Sequence, residues 1–209
     1  MSVKSKRFRR WELVLLVVTA LSLMTGAMAL RTQDQLAEKV VRLHVLANSD
    51  SPEDQALKLE VRDVVLERAE ALLSRCGGRQ EAESLLRGQL LEFEDLAEQV
   101  VRNAGYDYPV AVELAETRFP TREYDSFTLP AGNYLALRVL IGEAAGQNWW
   151  CVVFPPLCAA ASADVPASAL TAGLTEEEVR LITEEDQGYV LKFKAIELWE
   201  DLREALRAE

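Results

Sequence analysis

Apolar positions along this chain repeat with two different periods, and the change of period marks out its architecture. Residues 38–47 (EKVVRLHVLA) are short, apolar and rich in β-branched side chains, which predicts a strand. Asn48, Ser49, Asp50 and Ser51 follow, side chains that hydrogen-bond their own backbone and turn the chain. Ser51 is placed to cap a helix, with Pro52 at its first position and Glu53 and Asp54 at the positive end of its dipole. Leu57, Val61, Val64, Val65, Leu72 and Leu73 then recur at helical spacing as far as Gly77-Gly78. A second helix is predicted to about Ala104. Its stripe runs through Leu85, Leu86, Phe93, Leu96, Ala97, Val100 and Val101, and Gly105 stops it.

The period then falls from 3.6 to 2. Tyr108, Val110, Val112 and Leu114 alternate with Ala111, Glu113 and Ala115, the pattern of a half-buried strand. Residues 121–127 are polar with room for a short strand, and Pro130-Ala131-Gly132 turns the chain. YLALRVLI (134–141) reads as a strand, and WWCVVF (149–154) as a continuous apolar strand buried on both faces. Residues 159–173 are small and carry little pattern. Thr175 with Glu178 forms a capping box for a short helix, residues 189–194 suggest a last strand, and Ile196, Trp199, Leu202 and Leu206 a closing amphipathic helix. The expected fold is α+β. An N-terminal export or transmembrane helix precedes a two-layer domain with helices on one face of a mainly antiparallel sheet, in the order β-α-α-β-β-β-β-α-β-α.

The N-terminus departs from this pattern. Lys4, Lys6, Arg7, Arg9 and Arg10 precede an apolar block over residues 13–30 that has no amphipathic period. A basic flank before an apolar core is a targeting pattern, with the positive end kept in the cytoplasm. Ala27-Met28-Ala29 fits a cleavage site, whereas the length of the block also fits an uncleaved anchor crossing the membrane through residues 13–30. Residues 1–30 are therefore expected to be a signal peptide or membrane anchor, and 31–209 a single exported domain.

Charge and cysteine content narrow the partners. The net charge is −11, and because residues 1–29 are net positive, the remainder is more acidic still. Such a domain is a poor match for nucleic acid or anionic lipid, whose phosphates call for Lys and Arg. Cys76, Cys151 and Cys158 are too few for a disulfide scaffold. Cys151 and Cys158 flank Pro155-Pro156, so the chain either turns back to bridge them or leaves two buried thiols.

Catalytic chemistry is sparse. The one histidine, His44, excludes a zinc site built on several histidines, and no P-loop, GxSxG or GxGxxG is present, so no cofactor and no metal is expected. A Cys–His pair of His44 with Cys151 stays open, although both sit in apolar strands where burial makes a thiol inert. Two polar junctions stand out instead. One is the strand-to-helix turn containing His44, Asn48 and Asp50. The other is Asn148-Trp149-Trp150, whose tryptophans must point to opposite faces of a strand.

These junctions carry a family resemblance. VRLHVLANSDS (41–51), running into DQALKL (54–59), is similar to the opening signature of the stage II sporulation protein R family. PAGNYLALRV (130–139) resembles its middle, and NWWCVVFPPLC (148–158) its second signature. The similarity spans residues 38–158 in order. The resemblance implies a protein made in the forespore and exported into the space between the forespore and mother-cell membranes. There it would activate a membrane-embedded aspartic-type protease of the mother cell, which processes pro-sigma-E. It implies a ligand, with no catalytic residues. We assign His44, Asn48, Asp50, Asn148, Trp149 and Trp150 to the expected receptor-facing surface. The alternatives are an exported cell-envelope hydrolase of Cys/His or paired-carboxylate type, and a passive envelope module.

Overall fold

The computed structural model describes residues 11–20, 24, 31, 33–158 and 165–183. The chain forms two compact units, Met1–Gln35 and Leu36–Glu209. In the first, residues 11–20 are helical and expose apolar side chains such as Leu13, Leu15 and Leu16. The rest of the apolar block, residues 21–23 and 25–30, lies outside the described residues. Among the described residues no helix is long and apolar enough to cross a membrane.

The second unit is built on a four-stranded sheet. In chain order its elements are β1 (Val41–Leu46), α1 (Pro52–Leu73), α2 (Arg79–Gly88), α3 (Leu90–Asn103), β2 (Val110–Phe119), β3 (Arg122–Glu123), β4 (Thr128–Leu129), β5 (Gly132–Ile141), β6 (Asn148–Phe154), α4 (Val165–Thr171) and α5 (Glu176–Thr183). The sheet order is β2-β5-β1-β6, with β3 and β4 forming a separate two-stranded ribbon. β1 is therefore inserted between the two later strands. It runs parallel to β5, with Leu43 opposite Leu137, and antiparallel to β6, with Leu43 opposite Cys151. β2 pairs antiparallel with β5, Leu114 opposite Leu137.

The α+β class holds, and several details of the expected fold need correction, among them two short strands, β3 and β4, where one was expected. The sheet is mixed, because β1 takes a parallel partner. The second predicted helix is two, α2 and α3, broken at Gln89 (φ −122°, ψ 10°) directly after Gly88. Leu86 and Phe93 lie seven residues apart, two helical turns, so the apolar stripe keeps its phase across the break and does not reveal it. Helices also cover both faces of the sheet. Alternation sends Leu43, Val45, Leu137, Val139, Val112 and Val153 to one face, where α1, α2 and α3 pack through Val61, Val65, Leu86, Phe93 and Ala97. The opposite face buries Tyr134, Ala136, Val152 and Phe119 beneath the β3–β4 ribbon, α4 and α5. Helix α4 falls in the segment of small residues where no pattern predicted one. The predicted last strand (189–194) and closing helix lie outside the described residues.

Local signals place several ends as read. Ser51 caps α1, its hydroxyl accepting the Asp54 N–H at 3.1 Å, and Pro52 takes the first position. Thr175 and Glu178 cap α5 reciprocally, Thr175 N–H to Glu178 Oε2 at 2.7 Å and Glu178 N–H to Thr175 Oγ1 at 3.2 Å. Gly105 takes a positive φ of 87° just beyond α3, a conformation that side chains with a Cβ rarely adopt.

Leu137 stands fully buried at the centre, between Leu43 and Leu114. Leu137→Ala is expected to lower folding stability by about 2–5 kcal/mol through lost transfer energy and the cavity left behind. Urea denaturation followed by circular dichroism measures it.

Candidate functional site

The two polar junctions singled out in the sequence meet in space. At the end of β1 the turn 47–51 lies against the loop 142–147 that leads into β6. Backbone bonds start the join, Ala145 N–H to Asn48 C=O at 3.2 Å and Gly146 N–H to Ala47 C=O at 3.0 Å. Side chains complete it. Asn48 Oδ1 accepts the Glu143 N–H at 3.0 Å, and Asp50 Oδ1 accepts the Gln147 N–H at 2.7 Å.

Asp54 organises the inside of this corner. Its carboxylate is buried and accepts from Ser49 Oγ at 2.6 Å and Asn48 Nδ2 at 2.9 Å. The Ser49 hydroxyl, chief among these donors, holds the acid below the usual carboxylate range against the opposing effect of burial. Next to Asp54 on α1, Gln55 Nε2 donates to the Ser49 carbonyl at 2.8 Å. Lys58, also buried, donates to Gln55 Oε1 at 2.6 Å and to the Gln147 carbonyl at 2.9 Å. Burial pushes its ammonium pKa down, partly offset by Asp50.

The approach is close enough to require glycine twice. At Gly142, with φ 57°, an added Cβ would stand 2.2 Å from Asn48 Oδ1. At Gly146 it would stand 2.2 Å from the Ser49 carbonyl oxygen.

Beyond the corner, His44 Nε2 lies 2.6 Å from Asn148 Oδ1. A carbonyl oxygen only accepts, so the ring carries its proton on Nε2. The other nitrogen, Nδ1, is buried without a partner. Burial lowers the imidazole pKa, the Asn148 bond opposing and the positive Arg138 and Arg42 reinforcing the shift.

The tryptophans point to opposite faces of the sheet, and each is half-buried. Trp149 packs toward α1 under the Arg62 guanidinium, 4.9 Å from its ring centroid. Trp150 sits on the other face against His44 and Phe119, with Arg122 at 4.7 Å. β6 is thus buried on both faces only from Cys151 onward, and Asn148 at its start is exposed.

One residue of the same face was not singled out as a site. Arg42 is fully buried, its guanidinium 4.1 Å from the Phe119 ring centroid and 5.2 Å from that of Tyr134. Nη2 donates to the Tyr124 hydroxyl at 2.6 Å, which in turn donates to the Trp150 carbonyl at 3.2 Å. Nε and Nη1 are buried without hydrogen-bond partners. The signal in the sequence was an arginine in the middle of an otherwise apolar strand.

Cys151 and Cys158 are bonded to each other, their Cα atoms 5.7 Å apart, and Cys158 Sγ also accepts the Val152 N–H at 3.1 Å. With its sulfur in that bond, Cys151 offers His44 no thiolate to activate. Cys76 is the free cysteine among the described residues, and burial raises its thiol pKa. Among the described residues no group of three or more His, Cys, Asp or Glu side chains is placed to hold a metal ion.

Both junctions fall inside the stretch that one family model matches. The family model described as stage II sporulation protein R matches residues 37–164. The chain belongs to the stage II sporulation protein R family. A relative from Bacillus subtilis (strain 168), named stage II sporulation protein R, is 32% identical over 156 residues, covering 69% of this chain and 70% of the relative. No solved structure matches the chain. In this member of the family, His44 of the opening signature bonds to Asn148 of the second, and Asp50 and Lys58 bond to Gln147 just ahead of it.

Two measurements test the corner. Gly146→Ala is expected to cost about 1–3 kcal/mol by overpacking against the Ser49 backbone. Gly88→Ala, in helix and with open space around it, is expected to be neutral or stabilising by up to about 1 kcal/mol. Urea midpoints compare the two. The pH dependence should show two windows. The pKa of His44 is depressed in the folded state, so its contribution is complete above about 6.5 and is lost as pH falls from there through the folded-state value. That of Asp54 is likewise depressed, so its contribution is lost only below about 3.8. His44→Gln should flatten the first window in pH-dependent urea midpoints and leave the second.

Proposed function

We propose that this chain is an exported sporulation signal, made in the forespore, that activates a membrane-embedded aspartic-type protease of the mother cell so that pro-sigma-E is processed. The observation that carries this reading is membership of the stage II sporulation protein R family over residues 37–164, a stretch that holds every strand of the sheet. Export is supported by the basic residues before the apolar block, and by a helix over 11–20 that turns apolar side chains to solvent. The protein acts by contact, not by catalysis. The disulfide at Cys151 removes the one Cys–His pairing the sequence left open. The receptor-facing surface lies around Asn148, Trp149 and Trp150, with His44 buried behind them and bonded to Asn148. Asn48 and Asp50 act from behind it, holding loop 142–147 so that β6 starts in register.

The test is reconstitution in cells that carry the protease and its pro-sigma substrate but lack any relative of this chain. Export of the full chain should raise the processed sigma factor well above background on immunoblots. Removal of the first thirty residues should abolish the effect while leaving the domain folded. Background processing with the exported, folded chain would overturn the reading.

A further inference from the structure

β6 is an edge strand, and its outer side carries a hollow of about 300 Å3 that the contacts described so far leave open. It lies between the tip of the β3–β4 ribbon and the Cys151–Cys158 bridge. Tyr124, Phe127 and Trp150 supply aromatic surface, and Leu157 with the disulfide supplies the opposite wall. The exposed residues Glu123 and Asp125 complete the lining and set its charge.

Three features restrict what fits there. The volume is at the bottom of the range for small-molecule sites, roughly 300–1,000 Å3, which suits one bulky side chain better than a cofactor. An edge strand ordinarily invites another strand. Here the outward groups beside the hollow are already used: the Trp150 carbonyl accepts from Tyr124, and the Val152 N–H donates to Cys158. Strand addition is blocked at these positions, leaving insertion of a side chain. Charge supplies the third restriction. The Arg122 guanidinium lies over the Trp150 indole, while the Asp125 carboxylate stands exposed, on a chain of net charge −11. The Trp150 indole N–H, buried without an acceptor, is a donor available nearby.

We propose that this hollow is a docking site for a protein partner that inserts one aromatic side chain flanked by lysine or arginine. The inference deepens the signalling reading by stating the chemistry of the receptor segment. It rests on that reading only for which protein presents the segment.

The experiment titrates the full chain, disulfide intact, with three synthetic peptides: Gly-Lys-Phe-Lys-Gly, Gly-Glu-Phe-Glu-Gly and Gly-Lys-Ala-Lys-Gly, all with blocked ends. Backbone amide shifts report the site, and tryptophan fluorescence reports the affinity. The first peptide should shift amides of residues 123–127 and 150–158, with the other two binding at least about fivefold more weakly. Asp125→Lys, an exposed change whose thermal melt should match wild type, should weaken the first peptide by up to about fivefold, the scale of an exposed ion pair. The same variant should lower sigma-factor processing. Equal binding of the lysine and glutamate peptides, or shifts confined to other residues, overturns the docking site. If the wild-type chain processes the sigma factor normally in that case, the signalling reading survives. If wild type triggers no processing but binds the peptides selectively, the signalling reading fails and the docking site stands.

Discussion

A carboxylate taken out of water has to be met by donors, and the way Asp54 is met shapes the corner of this fold. Its oxygens draw in the side chains of Asn48 and Ser49, while Ser51 closes the loop from the other side by capping the backbone of Asp54 itself. The turn between β1 and α1 thereby acquires one conformation. That conformation aims Asn48 Oδ1 and Asp50 Oδ1 at the amides of the 142–147 loop, and so determines where β6 begins. The register of β6 in turn decides which tryptophan faces α1 and which faces Arg42. A slip of one residue would exchange them.

The two faces of the sheet solve different problems. Toward the three helices β1 presents Leu43 and Val45, both fully buried in an apolar cluster. Toward the ribbon it presents Arg42 and His44 from the same short strand. The charge of Arg42 is spread over the faces of Phe119 and Tyr134 and onto the Tyr124 hydroxyl. Desolvation lowers its pKa accordingly. A polar strand face of this kind ties the ribbon to the sheet through directional contacts where apolar packing alone would allow sliding.

Periodicity and capping chemistry carried much of this architecture in the sequence. The alternation of 110–114, the cap at Ser51 and the box at Thr175 act within a few residues, so a linear reading contains them. The sheet order is of another kind. Nothing in VRLHVL says that its neighbours are residues 135–140 and 148–154, because pairing is decided by packing over long separations. The α2–α3 break escaped because Leu86 and Phe93 keep one helical phase on either side of it. At the junctions, the polar residues were visible while their partners were not. Asn48 and Asp50 read as exposed turn residues, yet their oxygens are occupied by amides of a loop that follows about a hundred residues later.

The placement of β1 has a consequence for how the molecule comes into being. Ribosomes deliver the N-terminal end first, and domains fold as their parts emerge. The strand that ends up in the middle of the sheet is made before the three helices and before both of its neighbours. Until β5 and β6 follow, β1 has two open edges and no mate, and α1, α2 and α3 have no finished surface to lie on. Closing so distant a pairing is entropically slow. A chain organised this way stays uncommitted until β6 has left the ribosome. If the chain is exported as we propose, such late commitment is the state a translocation channel can accept.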